Sequence, residues 1–528
     1  MSDFPSQQRL IAALLDPQHS PLGPGRVRLI ETHISWVLLA GRFAYKIKKA
    51  VNLDFLDFTA LASRRHYCQE ELRINRRMAA QLYLDVIPIG GTPAHPLPGQ
   101  EPAIEYAVRM RRFPAGQLLA TLLPKGRVTP QHMEALAHTV AAFHEALPPA
   151  APAAPYGTPA GIRAAAMQNF DQIAGLLPDG VDQAEIAHVR GLTETACGAL
   201  AADFTARRAQ GFVRECHGDL HLGNVVLIGD DPVPFDGIEF SADLRWGDVM
   251  SETAFLMMDL LYHDEGALAF RFLNAYLDAG GDHPGLATLP FYLAYRAMVR
   301  AKISAIRAAQ PDLPTRAHRR ELAAARRHLA LARAFLETRR GALIITHGLP
   351  GSGKTTFAQL ALEQLGAIRI RSDVERKRLF GLAPQADSRA SVDIYTADAT
   401  RRTYARLHEL ARIALAAGFP VIVDAAFLRH AERSRFRELA AALDVPFAIA
   451  SLQAPADVLR SRVAQRQARA DDASEAGVQV LAMLQQVQEP LDDAERDRCA
   501  AFQTRPGAAD LRTSPGWARL YALLGLHA

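Results

Sequence analysis

The stretch Ala342–Thr356, ALIITHGLPGSGKTT, constrains this chain more than any other. An apolar run ends at Gly348, and Gly351, Ser352, Gly353, Lys354 and Thr355 follow in the order G-x-x-x-x-G-K-[ST]. The run predicts a buried strand, and the glycines predict a tight loop that feeds a helix. Glycines there let backbone N–H groups close around phosphate oxygens. Lys354 reaches the β and γ phosphates, and Thr355, followed by Thr356, offers a hydroxyl to Mg²⁺. The alternative, a glycine turn between strand and helix, does not require that fixed order of lysine and threonine. The stretch is read as the ATP site of an α/β P-loop NTPase domain with a parallel sheet, and about 340 residues precede it.

At 528 residues the chain is too long for one core, and with 49% hydrophobic residues each of two or three domains can bury its own. The 60 basic residues nearly balance 56 acidic ones, so net charge gives no whole-protein case for nucleic acid. The first twenty residues carry no basic leader and no uncharged run reaches membrane-spanning length, so no membrane partner is expected. Cys68, Cys197, Cys216 and Cys499 lie far apart without a C-x-x-C pair, which argues against zinc or a disulfide framework. A cytoplasmic location is expected.

Near the N-terminus, SWVLLAGRFAYKIKKA (Ser35–Ala50) alternates like a hairpin, with Ala44, Lys46 and Lys48 on one face. The next segment has helical spacing that puts Cys68, Glu71, Leu72, Asn75 and Met78 on one face, so Glu71 points inward and Glu70 outward. A strand lysine followed by an inward glutamate is the pair a kinase uses at ATP phosphates, although ordinary surface charge reads the same way in isolation. A strand follows in EYAVRMRRF, then a helix over Pro130–Leu147 and a proline- and alanine-rich loop, Pro148–Pro159. Further on stands HGDLHLGN, His217–Asn224, followed by an apolar strand and, twelve residues past Asn224, by Asp236. In this pattern Asp219 accepts the proton of an acceptor hydroxyl, while Asn224 and Asp236 hold Mg²⁺. A polar hairpin loop would need neither H-G-D nor the later F-D-G.

At these residues the chain resembles the aminoglycoside phosphotransferase-like branch of the protein-kinase-like fold, over about residues 30–310. The resemblance implies an α+β kinase-like N-terminal domain. In it Asp219 is the catalytic base, Asn224 and Asp236 are magnesium ligands, and Lys46 is the phosphate-binding lysine with Glu71 as its partner. Lys48 is the alternative lysine. It also implies that Asp248, in a G-D pair opening a helix, braces the catalytic loop. No G-x-G-x-x-G precedes the lysine strand, so the cover over the phosphates is not identified.

From Pro314 to Arg340, Leu322, Ala325, Leu329, Ala332 and Leu336 form an apolar stripe, with Arg319, Arg326, Arg333 and Arg340 repeating beside it. This predicts a packed linker helix, with nucleic acid a less favoured partner for its arginines. Behind the P-loop helix, IRIRSDVERKRLFG puts Asp373 and Arg376 one turn apart after a strand over 367–370. GFPVIVDAAF reads as a buried strand ending in Asp424, PFAIASLQAP as another, and Arg460, Arg462, Arg466 and Arg469 flank a segment read as a lid. This part, about 341–500, resembles the P-loop kinases typified by polynucleotide 5′-kinases, gluconate kinase and zeta toxins. That resemblance makes Asp373 the activator of an acceptor that Arg376 holds, Asp424 the acidic support for Mg²⁺, and Arg462 or Arg466 the lid group over the phosphates.

The whole chain resembles bacterial fusions of an aminoglycoside phosphotransferase-like protein with an ATP-binding protein. The expected division is 1–312, a linker helix 313–340, and 341–528. The expected activity is ATP- and Mg²⁺-dependent transfer of phosphate to hydroxyls of small molecules by both modules. Competing expectations are an RNA or nucleotide end kinase, or an ATP-driven switch, governed by an inactive kinase-like part. Acceptors and oligomeric state are not legible.

Overall fold

The computed structural model describes residues 3–526 except 17–19, 24, 54–55, 178–179, 312, 338–339, 384–385, 387–393, 395, 470–477 and 505–510. The chain forms two compact units, 1–165 with 204–259, and 166–203 with 260–528.

The first unit is built on a six-stranded antiparallel sheet, in the order Arg28–Glu31, Ser35–Ala40, Phe43–Lys48, Glu105–Arg111, Tyr83–Thr92, His95–Pro98. The predicted hairpin is there, with Lys46 opposite Val37 on one side and Val108 on the other. Trp36, Leu38, Tyr45 and Ile47 fill a core on one face together with Leu10, Ile11 and Leu14 of the helix Phe4–Leu15. The helix Leu61–Ala79 packs on the sheet with Arg64, Cys68, Glu71 and Asn75 buried, at the i, i+4, i+7, i+11 spacing of one face. A buried face so polar survives because each charge is answered: Arg64 Nε lies 2.9 Å from Glu105 Oε1, and Gln7 Nε2 donates to Glu105 Oε2 at 2.6 Å. The helix Val249–Tyr262 is almost wholly buried in its first three turns.

The second unit holds a five-stranded parallel sheet ordered Ile368–Arg371, Val421–Asp424, Leu343–His347, Phe447–Gln453, Cys499–Gln503. Strands covered on both faces read as near-continuous apolar runs, and every residue of Leu343–His347 and Val421–Asp424 is buried. Gly348, Asp373 and Asp424 all stand at or just past the carboxyl ends of their strands, where open α/β sheets bind ligands.

Packing in this unit follows different lines from a division at 312/313. Helix Gly266–Gly280 seals the edge strand Ile368–Arg371: Asn274 Nδ2 donates to the Ala367 carbonyl at 2.9 Å, and the Arg369 N–H donates to Asn274 Oδ1 at 2.6 Å. Asp278 on the same helix takes the Arg369 guanidinium at 3.0 Å. A sheet edge is a row of unpaired backbone groups, and Asn274 supplies the amide that a further strand would have offered. The predicted linker helix is Thr315–Leu336, with Ala325, Leu329 and Ala332 buried and Leu322 and Leu336 half-buried. Arg326 pairs with Asp182 at 2.9 Å and Arg333 with Glu185 at 3.3 Å. Among the described residues no helix is long and apolar enough to cross a membrane.

Replacing Asn274 by Ala leaves the Arg369 N–H and the Ala367 carbonyl without their side-chain partner. The expected cost is about 2 kcal/mol, from one to three for stranded buried groups. Equilibrium urea unfolding should show a lower midpoint at unchanged slope.

Candidate active sites

In the first unit, Lys46 and Lys48 project from one face of their strand toward Glu71. Glu71 Oε1 lies 2.8 Å from Lys46 Nζ, and its Oε2 lies 2.8 Å from Lys48 Nζ. Lys46 also reaches Asp236 Oδ1 at 2.6 Å, and Lys48 holds Glu239 Oε1. Burial alone would raise the Glu71 carboxyl, but the two ammonium groups outweigh it and hold it at about 2. The two lysines differ in depth: the Lys46 side chain is 12% exposed, whereas that of Lys48 is at 0%. Lys46 therefore stands at the wet side of the cluster and Lys48 beneath it.

The H-G-D loop runs from the short strand Val213–Glu215 to the hairpin Val225–Ile228 and Asp231–Pro234. His217 is buried, with Nε2 2.9 Å from the Phe235 carbonyl, and burial lowers its pKa, which keeps the ring neutral. Asn224 Nδ2 donates to Asp219 Oδ2 at 2.9 Å and to the Asp219 carbonyl at 3.0 Å. Asp219 is thus oriented while 36% of its side chain stays exposed. Asp236 takes φ +63° and donates its N–H to the Tyr83 hydroxyl oxygen at 3.1 Å. Left-handed backbone at a residue other than glycine marks a position that the surroundings hold in place. Asn224 and Asp236 offer amide and carboxylate oxygens, the donor chemistry Mg²⁺ accepts, so the residues fit that ion.

The bracing expected of Asp248 lies elsewhere. Asp248 takes the Arg207 guanidinium in a two-point pair, 2.7 Å at each oxygen, and caps the Met250 N–H. The loop is held from further along the same helix: the Gly218 N–H donates to Glu252 Oε2 at 2.8 Å and the Leu222 N–H to Asp259 Oδ2 at 3.0 Å. His144 Nε2 lies 2.9 Å from the other Glu252 oxygen. Burial would raise the Glu252 carboxyl, but the His144 hydrogen bond leads the effects that keep it at about 2. Sequence reasoning missed Glu252, Asp259 and Glu239. The signal for the first two was present, since they are acids seven residues apart on the apolar helix SETAFLMMDL.

In the second unit, Gly348 has φ +142°, and a Cβ there would stand 2.4 Å from the Leu452 carbonyl oxygen. Gly353, at φ +95°, is the N-cap of the helix Lys354–Leu365, so its loop turns directly into a positive helix terminus. Gly351 lies against the helix that follows Gln453, and Ser352 is buried. Lys354 Nζ folds back on the Gly348 and Leu349 carbonyls at 3.0 Å each, while Thr355 and Thr356 are exposed at the helix start. This cradle admits backbone close to a polyphosphate and fits the nucleotide.

Asp424 is buried at its strand end, where burial raises its carboxyl although Arg371 and Arg369 pull the other way. Asp373 is half-buried in the first turn of Ser372–Leu379. Arg376, expected to hold an acceptor, is buried and donates from Nη1 to the Ile394 carbonyl at 3.0 Å and to Thr400 Oγ1 at 3.3 Å. Arg462 reaches the P-loop itself, with Nη1 donating to the Gly351 carbonyl at 3.2 Å and to Thr504 Oγ1 at 3.1 Å. Thr504 Oγ1 in turn donates to the Ser352 carbonyl at 2.8 Å, a tie no sequence pattern announced. The side chains of Arg466 and Arg469 lie outside the described residues, and Arg460 is exposed.

Residues 60–292 match the family model described as the phosphotransferase enzyme family, and residues 343–491 match the one described as an AAA domain. An uncharacterised protein of Mycobacterium tuberculosis is 29% identical over 470 residues, 88% of this chain and 91% of its own. An uncharacterised protein of Mycobacterium bovis matches with the same figures. A choline/ethanolamine kinase family protein from Mesorhizobium loti covers 62% of this chain and 99% of its own at 14% identity and TM-score 0.37. A gluconokinase from Sinorhizobium meliloti covers 35% and 91% at 21% identity and TM-score 0.24. This chain joins a kinase-like domain of the phosphotransferase enzyme family, matched over 60–292, to a P-loop domain of the AAA type, matched over 343–491.

Proposed function

We propose that each unit transfers the γ-phosphate of ATP to a hydroxyl of a small molecule. The observation that carries this reading is the oriented carboxylate of Asp219, 36% exposed and fixed by Asn224, in a unit that also pairs Lys46 with Glu71. Phosphoryl transfer asks little covalent chemistry of a protein; positioning and neutralisation of charge do most of it. Asp219 receives the proton of the acceptor hydroxyl as that oxygen attacks. Lys46, aimed by Glu71, neutralises ATP phosphate, and Asn224 and Asp236 would hold Mg²⁺, which when bound screens the phosphate oxygens. Glu252 and Asp259 keep the loop backbone still, so that the Asp219 carboxylate meets the hydroxyl at hydrogen-bond range.

In the second unit the P-loop glycines and the helix terminus receive the phosphates, and Lys354 exchanges its two carbonyls for phosphate oxygens. Thr355 and Asp424 would hold Mg²⁺ there, and Asp373 would take the proton of the second acceptor. Arg462 stands beside Gly351 and is the favoured lid arginine. The contacts of Arg376 with the Ile394 carbonyl and Thr400 support a part in the fold. Pairing of Arg326 and Arg333 with Asp182 and Glu185 supports arginines that serve the fold over arginines that meet RNA.

Purified protein supplied with ATP, Mg²⁺ and a metabolite extract should release ADP and yield new phosphorylated compounds by mass spectrometry. Asp219→Asn should suppress one product by about 10²- to 10⁴-fold, the range for loss of a general base. Lys354→Ala should suppress a different one. ADP release untouched by either substitution would sink the proposal. Glu252→Ala should lower kcat of the Asp219-dependent reaction at least tenfold, because a loop shifted by about an ångström loses attack geometry. Its effect on the Lys354-dependent product should be nil, which steady-state rates of the two products would check.

A further inference from the structure

The charges beneath Lys46 exceed what a phosphate-binding lysine needs. Lys48, two residues along the strand, is fully buried, and its Nζ stands 5.3 Å from the centre of the Phe58 ring. Taking an ammonium out of water costs several kcal/mol, so its presence demands close counter-charges. It has two: Glu71 Oε2 at 2.8 Å and Glu239 Oε1. Glu71 is thereby divided: Oε2 accepts a hydrogen bond from Lys48, and Oε1 faces the Lys46 ammonium as an ion pair at 2.8 Å. A carboxylate with neither oxygen hydrogen-bonded can swing about its terminal torsion, which is broad for glutamate; the Lys48 hydrogen bond at Oε2 restrains that swing. Lys46, by contrast, also contacts Asp236, whose side chain is 42% exposed, so its outer partner lies where solvent and ligand arrive.

We infer that Lys48 is a positioning residue for nucleotide binding: backed by Glu239, it pins Glu71 Oε2 so that Oε1 stays aimed at Lys46 when Lys46 trades Asp236 for a phosphate oxygen. Lys48 touches no nucleotide in this arrangement. It acts through Glu71, and the inference rests on the reading of Lys46 as the phosphate lysine. The strand thus carries two lysines with separate tasks, the outer one for the ligand and the inner one for the carboxylate that aims it.

The test uses the full chain with Lys354→Ala, which weakens nucleotide binding at the P-loop, and titrates Mg²⁺ with AMP-PNP by calorimetry. Thermal unfolding is measured in parallel. Lys46→Met should weaken AMP-PNP at least tenfold. Lys48→Met should weaken it at least fivefold and also lower Tm, because Glu239 is left buried without its cation. Lys48→Met combined with Glu239→Gln should recover much of the Tm while affinity stays low, since Glu71 Oε2 is still unanchored. Where Lys48→Met does not fold, this double variant carries the test. Affinity that returns together with Tm in the double variant, or normal affinity in Lys48→Met beside a loss in Lys46→Met, overturns the inference and leaves the reading of Lys46 standing. Unchanged affinity in Lys46→Met overturns that reading, and the inference falls with it.

Discussion

A carboxylate taken out of water must be answered by cations or by N–H donors, and that requirement arranges the first unit. Glu71, Glu239, Glu252 and Asp248 are all buried, and each is met within hydrogen-bond distance: by Lys46 and Lys48, by Lys48, by Gly218 N–H and His144, and by Arg207. A charged hydrogen bond of this kind contributes about 1.5–3 kcal/mol, and stranding either partner costs more than the bond itself contributes. The pairs are therefore rigid in a way an apolar core is not, because their geometry is directional. Two of them reach the candidate site. Glu71 Oε1 stands 2.8 Å from Lys46, and Glu252 holds the amide next to Asp219. The more exposed side chains of that site inherit their positions from acids in the interior of the unit.

The second unit meets the same demand by other means. Its phosphate cradle relies on backbone N–H groups and on the start of the helix Lys354–Leu365, and its shape depends on backbone conformations that glycine adopts freely. The parallel sheet supplies the common level at which Gly348, Asp373 and Asp424 leave their strands. What fixes that level at the outer edge is Asn274, whose side-chain amide continues the hydrogen-bond pattern of Ile368–Arg371. Asp278 then gathers Arg369 at 3.0 Å and Arg371 at 3.8 Å next to the strand that leads into Asp373.

Short-range pattern explains what was legible in the sequence. The P-loop, the H-G-D loop, the strand ending in Asp424 and the inward face of Leu61–Ala79 each lie within about twenty residues, where spacing alone reports geometry. Lys46 and Lys48 could not be separated that way, because two residues apart on a strand means the same face; only the depth set by Phe58, Glu71 and Glu239 distinguishes them. Asp248 misled for a related reason. It directly precedes the correct helix, but the sites that face the loop come about one and about three turns later, at Glu252 and Asp259, and that offset depends on how the helix enters the unit. Arg376 sits one turn from Asp373 as spacing required, yet its guanidinium is drawn to Ile394 and Thr400, partners eighteen and twenty-four residues away. Asn274 gave no local signal of its part at the sheet edge, since its partners on that strand are more than ninety residues distant.

The two candidate sites carry different vulnerabilities. In the first unit the candidate site is built of side chains whose placement depends on buried partners behind them, so its geometry can be lost from Lys48, Glu239 or His144. In the second unit the neutralising groups are mostly peptide amides, and the tolerance is steric: a Cβ at Gly348 would enter the Leu452 carbonyl. Side-chain placement can be retuned by one substitution at a time, whereas the backbone cradle is either closed or broken. Substitution is thus easier to accommodate around Asp219 and Asp373, on a loop and a helix start, than in the glycine-built loop or in the buried lysine and glutamate cluster.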